Sequence, residues 1–276
     1  MLPPLLWLVA IVLLALVVAG WLAGPALWRA WRRQRLTRVP FPAAWRRILR
    51  LRMPLYRRLP VPLQRRLQRH VQVLLAELPF VGCQGQAITE EVRVLVAGQA
   101  ALLLLGRPAG RFHGLREVLV YPGPFVVDRP LHDGSVVHDA RRVLAGESWQ
   151  RGQVVLSWPD VVAGAADPAD GRNVVIHEFA HQLDQESGPA NGAPFLGRRE
   201  AYARWSRTLG AAYEQLRAQL GRGEATLIDP YGASDPAEFF AVVCELFFER
   251  AADLAEAHPG LFYELAAYTR CDPRTW

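Results

Sequence analysis

The sequence predicts an α+β domain that is mostly helical, contains a small mixed sheet and is preceded by one transmembrane helix. Three observations predict this arrangement. An apolar segment opens the chain, short β-type runs lie between Glu77 and Asp160, and helical patterns dominate from Asn173 onward. With 276 residues, of which 51% are apolar, the chain is long and apolar enough to bury a sizeable core.

The first segment, residues 1–28, contains no charged side chain. Leu5 to Gly24 alone are enough to cross a hydrocarbon core about 30 Å thick. A cleaved signal peptide is disfavoured, because no positively charged side chain precedes the apolar run. Since arginines follow the segment, the positive-inside rule predicts a single-pass membrane protein whose main domain is cytoplasmic.

The second segment, residues 29–69, is basic. It holds 14 of the 32 arginines and no acidic residue, so the other 18 arginines stand beside all 26 Asp and Glu. The body of the protein is therefore acidic, which argues against direct nucleic-acid binding. The segment is predicted to be a juxtamembrane linker merging into an amphipathic helix, whose apolar stripe lies either on anionic lipid or on the folded domain.

The third segment, residues 70–276, is predicted to be the folded domain. Its β-type runs are Val92 to Val96, Val118 to Tyr121 and Val154 to Trp158, of which the last is either an edge strand able to pair with an extended peptide or a buried strand. The predicted helices are Asn173 to Glu186, Arg198 to Leu220, Pro236 to Arg250 and Ala251 to Ala267. Three scattered cysteines are too few for a disulfide framework and favour a reducing compartment.

The run His177-Glu178-Phe179-Ala180-His181 matches the pattern H-E-x-x-H. On an α-helix, residues four apart share a face, so both imidazoles can approach one metal ion while Glu178 points to a water beside it. Asp170 and Asn173 are candidate N-caps of this helix. The motif predicts a zinc-dependent peptidase with Glu178 as the base that activates the water.

Catalytic zinc usually keeps three protein ligands, so a third ligand is expected from a carboxylate on a later helix. Glu238 is the best candidate, although Asp235-Pro236-Ala237-Glu238 is also a capping box, and both interpretations remain open. Glu245, seven residues on and on roughly the same face, either supports a ligand or is itself the ligand. Asp184 either orients an imidazole or caps a neighbouring segment.

Four segments of the chain carry a family resemblance: Gly171 to Asp184, Asn191 to Pro194, Asp229 to Tyr231 and Pro236 to Ala241. Together they resemble the Mlc titration factor A family of zinc peptidases, and the resemblance extends from about Pro54 to Tyr268. The arrangement of Tyr231 seven residues before Glu238 also resembles the gluzincin-type catalytic domain of anthrax lethal factor. This resemblance implies a zincin-like fold, with His177, His181 and Glu238 as zinc ligands, Glu178 as base and Tyr231 facing the oxyanion. The resemblance also implies a bacterial protein, so the membrane crossed by the first segment is expected to be the bacterial inner membrane.

The expected function is hydrolysis of peptide bonds through a zinc-bound water by a membrane-anchored enzyme. The resemblance further implies aminopeptidase activity, a glucose-linked regulatory role and binding to the repressor Mlc. The expected partners are therefore a peptide or protein substrate, the membrane and an Mlc-like repressor. The alternative is a binding protein that sequesters such a transcriptional regulator and has little peptidase activity. An intact Glu178 favours catalysis, because a structural zinc site needs no base.

Overall fold

The computed structural model describes residues 4–107, 112–123, 125–133, 136–144, 146–149 and 152–276. The chain divides into two compact units, residues 1–41 and residues 42–276. Residues 42–69 therefore lie in the larger unit. The predicted division at residues 28 and 69 stays a prediction.

The smaller unit contains helix α1, Pro4–Arg38, which continues ten residues beyond the apolar segment. Within it, Leu13–Arg38 has a mean hydropathy of 1.5 in its most apolar window, and none of that window is buried. By length and composition α1 is able to cross a membrane. Residues 1–3 of the predicted span lie outside the described residues.

The larger unit begins with helices α2 (Ala43–Arg52), α3 (Pro54–Arg58) and α4 (Val61–Glu77). Their apolar sides are buried, and α2 and α4 both pack on the fifth helix, Glu90–Ala100. The apolar stripe of residues 29–69 was predicted to lie either on anionic lipid or on the folded domain. In the structure it lies on the folded domain. The buried residues that form the stripe are Leu49, Met53, Leu55, Tyr56, Leu59, Leu67 and Val71.

Helix α5, Glu90–Ala100, is a central core element, and it corrects a prediction. Val92 to Val96 was expected to be a strand but lies within this helix. Thr89 caps the helix by accepting a hydrogen bond from the backbone N–H of Val92 at 3.3 Å, and two glutamates follow in the first turn, where the helix dipole favours negative charge. From Val94 to Ala100 every residue of this helix is buried, so that stretch has no polar face and its valines were mistaken for those of a strand.

The main sheet contains four strands in the order β1, β2, β6, β5. Strands β1 (Phe80–Gly82), β2 (Glu117–Tyr121) and β6 (Gln153–Ser157) are parallel, and β5 (Gly146–Trp149) runs antiparallel along β6. The strands predicted at 118–121 and 154–158 are thus confirmed, with Trp158 starting the next helix. Strand β6 pairs with β2 on one side and with β5 on the other. It is therefore the predicted buried strand and not an edge strand able to pair with an extended peptide. A separate antiparallel pair joins β3 (Phe125–Asp133) and β4 (Val136–Leu144).

Six helices follow the sheet, and they build most of the second half of the domain. The helices predicted from Asn173, Arg198 and Pro236 are confirmed to within a few residues. The helix predicted over Ala251 to Ala267 is instead two helices, because Pro259 lacks a backbone N–H and starts a new helix. The six are α6 (Trp158–Ala166), α7 (Val174–Asp184), α8 (Arg199–Gly221), α9 (Pro236–Glu249), α10 (Ala251–Ala257) and α11 (Pro259–Thr269).

Candidate metal and catalytic site

Helix α7 carries the H-E-x-x-H motif in the interior of the domain. It begins at Asn173, whose side-chain oxygen accepts a hydrogen bond from the backbone N–H of Ile176 at 3.0 Å. The helix packs on α5, α6, α9 and the edge of the main sheet. As the four-residue spacing requires, the rings of His177 and His181 lie side by side, with centroids 5.0 Å apart.

Helix α9 brings Glu238 to these two imidazoles. Its Oε2 atom lies 2.9 Å from Nε2 of His177 and 3.4 Å from Nε2 of His181. The cap of α9 is supplied by Asp235, which accepts hydrogen bonds from the backbone N–H groups of Ala237 and Glu238 at 2.8 and 3.0 Å. Capping and contact with the histidines thus fall to different carboxylates.

The three side chains have the geometry and the charge that a divalent metal ion requires. One donor atom from each of His177, His181 and Glu238 lies within 4.8 Å of the other two. Ligands arranged tetrahedrally at about 2.05 Å from zinc lie about 3.3 Å from one another, close to the two distances measured from Glu238. A nitrogen and carboxylate donor set of this kind suits zinc.

The electrostatics of the site point the same way. Burial opposes charge on His177, but hydrogen bonds to Glu238 and Glu245 raise the pKa of His177 well above its usual value. Burial likewise opposes charge on Glu238, whereas its hydrogen bonds to the two histidines hold its pKa below the usual range. The surrounding carboxylates therefore stabilise positive charge at this point, which is also the condition for binding a cation.

Glu245 contacts the ring nitrogen of His177 that does not contact Glu238. Its Oε1 atom is 2.8 Å from Nδ1 of His177, so Nε2 is the atom directed toward Glu238 and His181. Its other oxygen accepts a short hydrogen bond from the backbone N–H of Asn173. A carboxylate in this position fixes the orientation and the tautomer of a metal-binding histidine.

A third carboxylate on α9, Glu249, lies behind Asn173. It accepts a hydrogen bond from the side-chain amide of Asn173 at 3.0 Å, and the same amide donates to the carbonyl of Gly164 at 3.0 Å. Burial raises the pKa of Glu249 to about 8, so this group is mainly uncharged at neutral pH. Asn173 therefore links the cap of α7 to two carboxylates of α9.

Asp184 caps a neighbouring loop. Its Oδ2 atom accepts hydrogen bonds from the backbone N–H groups of Asn191 and Gly192 at 2.9 and 2.7 Å. The loop presses on the start of α9: a Cβ atom on Gly192 would lie 2.4 Å from the carbonyl oxygen of Pro236, and its φ angle is +78°. Only glycine fits both conditions, so this contact helps to fix the turn of α9 that carries Glu238.

The remaining predicted residues are Glu178 and Tyr231. Glu178 is buried on α7, directly after His177. Tyr231 lies in a short 3-10 helix, Pro230–Ala233, and remains 41% exposed with its ring centroid 6.0 Å from that of His177. Asp229 holds this turn by accepting from the backbone N–H of Tyr231 at 2.9 Å and by pairing with Arg172 at 2.9 Å.

Comparison with known sequences assigns the chain to a family. The sequence model described as glucose-regulated metallo-peptidase M90 matches residues 28–270, which include all of the residues discussed above. The chain belongs to the M90 family. The resemblance to the Mlc titration factor A family is confirmed, because several curated relatives of this chain carry that name.

Three relatives illustrate the similarity of this M90 chain. The uncharacterized protein slr2042 of Synechocystis sp. is 40% identical over 268 residues, covering 96% of this chain and 97% of its own. Mlc titration factor A of Cronobacter sakazakii is 36% identical over 250 residues, which are 89% of this chain and 91% of the relative. The protein of the same name from Escherichia coli is 43% identical over 164 residues, which are 58% of this chain and 61% of the relative.

Two parts of this M90 site were missed by sequence reasoning. The first is the link from Asn173 to Glu245 and Glu249, for which the sequence did hold a signal: three glutamates, spaced seven and four residues apart, share one face of the otherwise apolar α9. The second is the contact of Gly192 with Pro236. No sequence pattern announces it, because it depends on how two distant segments meet.

Proposed function

We propose that this M90 chain is a membrane-anchored, zinc-dependent peptidase with a zincin-like fold. The observation that carries this proposal is the convergence of Nε2 of His177, Nε2 of His181 and Oε2 of Glu238, with Nδ1 of His177 held by Glu245. In this proposal the two histidines and Glu238 are the zinc ligands. Membership of a metallo-peptidase family supports it.

Bound zinc supplies a Lewis acid that polarises the scissile carbonyl and lowers the pKa of a water molecule toward neutrality. Glu178 accepts the proton of the attacking water and delivers it to the leaving amine. Its burial removes competing bulk water from this transfer. The half-exposed phenol of Tyr231 donates a hydrogen bond to the oxyanion that develops on the substrate, an interaction that acts mainly in the transition state.

The proposed location is the bacterial inner membrane, with α1 as a single span and the peptidase domain in the cytoplasm. The length and hydropathy of α1 and the arginines that follow it support this topology. A reporter fused after Trp276 is expected to be active in a cytoplasm-dependent assay and silent in a periplasm-dependent one. The reverse pattern contradicts the topology without touching the metal chemistry.

A second candidate function is that of a binding protein that sequesters an Mlc-like transcriptional repressor and has little peptidase activity. It is favoured by the curated relatives, whose name, Mlc titration factor A, refers to titration of Mlc. Pull-down of a purified Mlc-type repressor by the full chain, with and without a zinc chelator, separates the two candidates. Tight binding that is unchanged in the Glu178→Gln variant, together with no hydrolysis of any peptide, favours the binding protein.

The central experiment combines metal analysis with peptide hydrolysis on the purified full chain. We expect one zinc ion per chain and cleavage of members of a panel of amino-terminal and internal peptide substrates. The Glu178→Gln variant is expected to keep the metal and to lose most activity, because its amide cannot accept the proton. Full activity of that variant, or hydrolysis without any metal, contradicts the proposed mechanism.

A further inference from the structure

The outer surface of α2, α3 and α4 is basic. Seven arginines are exposed there, and the first acidic residue of the chain is Glu77, at the last position of α4. Arg52 pairs with Glu91 of α5 at 2.6 Å, whereas for the other six the structure records no ion pair or hydrogen bond within the described residues. These six, which we call the arginine surface, are Arg47, Arg50, Arg57, Arg58, Arg65 and Arg69.

Each of the two longer helices presents apolar side chains beside these arginines. On α2 the 100° step per residue places Leu51 on the same face as Arg47, four residues earlier, and Leu51 is 67% exposed. On α4 the same step places Val61, which is 59% exposed, on the face of Arg65 and Arg69. Large exposed apolar groups between unpaired cations are unfavourable in water but suit an interface that is both anionic and partly apolar.

The helices cannot meet such an interface with their apolar stripes, because those stripes are buried in the domain. On its inner side α2 is held to α5, where Trp45 donates a hydrogen bond to Glu90 at 2.6 Å and Arg52 pairs with Glu91. Only the outer side of these folded helices is therefore left for a partner, and it consists of guanidinium groups with a few apolar side chains beside them. Guanidinium groups match phosphate oxygens in geometry and in charge.

The sequence keeps this surface close to the membrane if α1 spans it, as proposed above. The ten residues from Trp28 to the end of α1 rise about 15 Å, and the headgroup layer takes up roughly 5–7 Å of that distance. The four residues between α1 and α2 extend at most about 14 Å, enough to bring α2 back to the lipid. Tethering of this kind raises the effective concentration of the surface at the headgroups.

We propose that the arginine surface of α2–α4 docks on anionic phospholipid headgroups and fixes the orientation of the peptidase domain at the membrane. This inference rests on α1 as the anchor and adds a second, electrostatic contact made by the folded domain itself. Each arginine at an anionic surface strengthens docking about fivefold, and the attraction falls off within about 8 Å at physiological ionic strength. Docking is therefore sensitive to lipid charge and to salt, whereas the anchor is not.

The test uses the full chain in nanodiscs, one kind made of phosphatidylcholine and the other containing phosphatidylglycerol. An environment-sensitive fluorophore is attached at Leu51→Cys in a background where the two partly exposed cysteines, Cys83 and Cys271, are serine. Glu214→Cys on α8, a helix that packs on α9 and α11, is the control position. Co-elution of the protein with both kinds of disc tests the anchor separately from the docking.

We expect the probe at Leu51 to lose accessibility to a water-soluble quencher several-fold in phosphatidylglycerol discs only, and high salt to reverse this loss. Replacement of Arg47 and Arg50 by Gln is expected to weaken docking about 25-fold, whereas replacement of Arg207 and Arg217 on α8 is expected to leave it unchanged. All variants should retain peptidase activity, which shows that they fold.

Equal accessibility in both kinds of disc, with the protein still co-eluting, overturns the docking and leaves the anchor intact. Failure to co-elute contradicts the anchor instead. Binding of a labelled DNA duplex that is tighter than docking on phosphatidylglycerol also overturns the inference, because the arginine surface would then belong to a nucleic acid.

Discussion

Glu238 and Glu245 have different expected effects on metal binding, and exchanging each for glutamine measures the difference. Glutamine at position 238 replaces an anionic donor in contact with both histidines by a neutral amide. Because this removes a proposed zinc ligand, we expect zinc affinity to fall by more than a hundredfold and peptidase activity to be lost. The fold should survive, because Asp235 caps α9.

The magnitude expected for Glu245→Gln follows from its two hydrogen bonds. The carboxylate accepts from Nδ1 of His177 and from the backbone N–H of Asn173, and an amide can accept only one of these with its single oxygen. A hydrogen bond to a charged group contributes about 1.5–3 kcal/mol, which corresponds to roughly ten- to a hundredfold in zinc affinity. The loss should therefore be smaller than that for Glu238→Gln.

The assay is competition for zinc between the purified full chain and a chromophoric chelator, read together with the unfolding temperature. Asp235→Ala is the control, expected to lower the free energy of unfolding by about 1 kcal/mol while the zinc is retained. If Glu245→Gln strips the zinc while Glu238→Gln leaves it bound and active, the assignment of the third ligand to Glu238 is wrong.

Three further predictions follow from the site and from α1. Tyr231→Phe should bind zinc normally and lose kcat by about a hundredfold, and a change in KM alone would contradict its oxyanion role. Gly192→Ala should destabilise the fold and weaken zinc binding through the contact with Pro236, whereas Gly223→Ala, with a φ of +70° but open space around it, should cost only about 1 kcal/mol and leave zinc affinity unchanged. Removal of residues 1–28 should release active protein to the soluble fraction, and loss of folding would place that segment in the core.

The part of the site on α7 was predictable because it is local. Four residues separate His177 from His181, and the cap at Asn173 precedes them, so helix geometry alone determines that the imidazoles share a face. Glu238 was not decided by the sequence, since its position in the first turn of α9 suits a cap as well as a ligand. Only the packing of α9 on α7 shows Asp235 as the cap and the Glu238 carboxylate against the histidines.

The fold was predicted best where a pattern had one physical explanation. The periodic helices α8 and α9 were found nearly to the residue, and the strands β2 and β6 were found from their β-branched runs. Helix α5 was mistaken for a strand because residues 94–100 are all buried, and an almost uniformly apolar stretch shows neither the helical nor the strand period. The pairing order of the sheet depends on contacts between distant segments, so no local pattern showed that β6 is central.

The separation of α7 and α9 along the chain has a consequence for how the protein is made. His177 and Glu238 are 61 residues apart, and His177 and Glu245 are 68 apart, with the long helix α8 between them. During synthesis from the N-terminus, the two histidines therefore emerge well before any carboxylate of α9. A nascent or truncated chain that ends before α9 lacks one of the three proposed zinc ligands, so the proposed peptidase site is complete only after the last long-range contacts have closed.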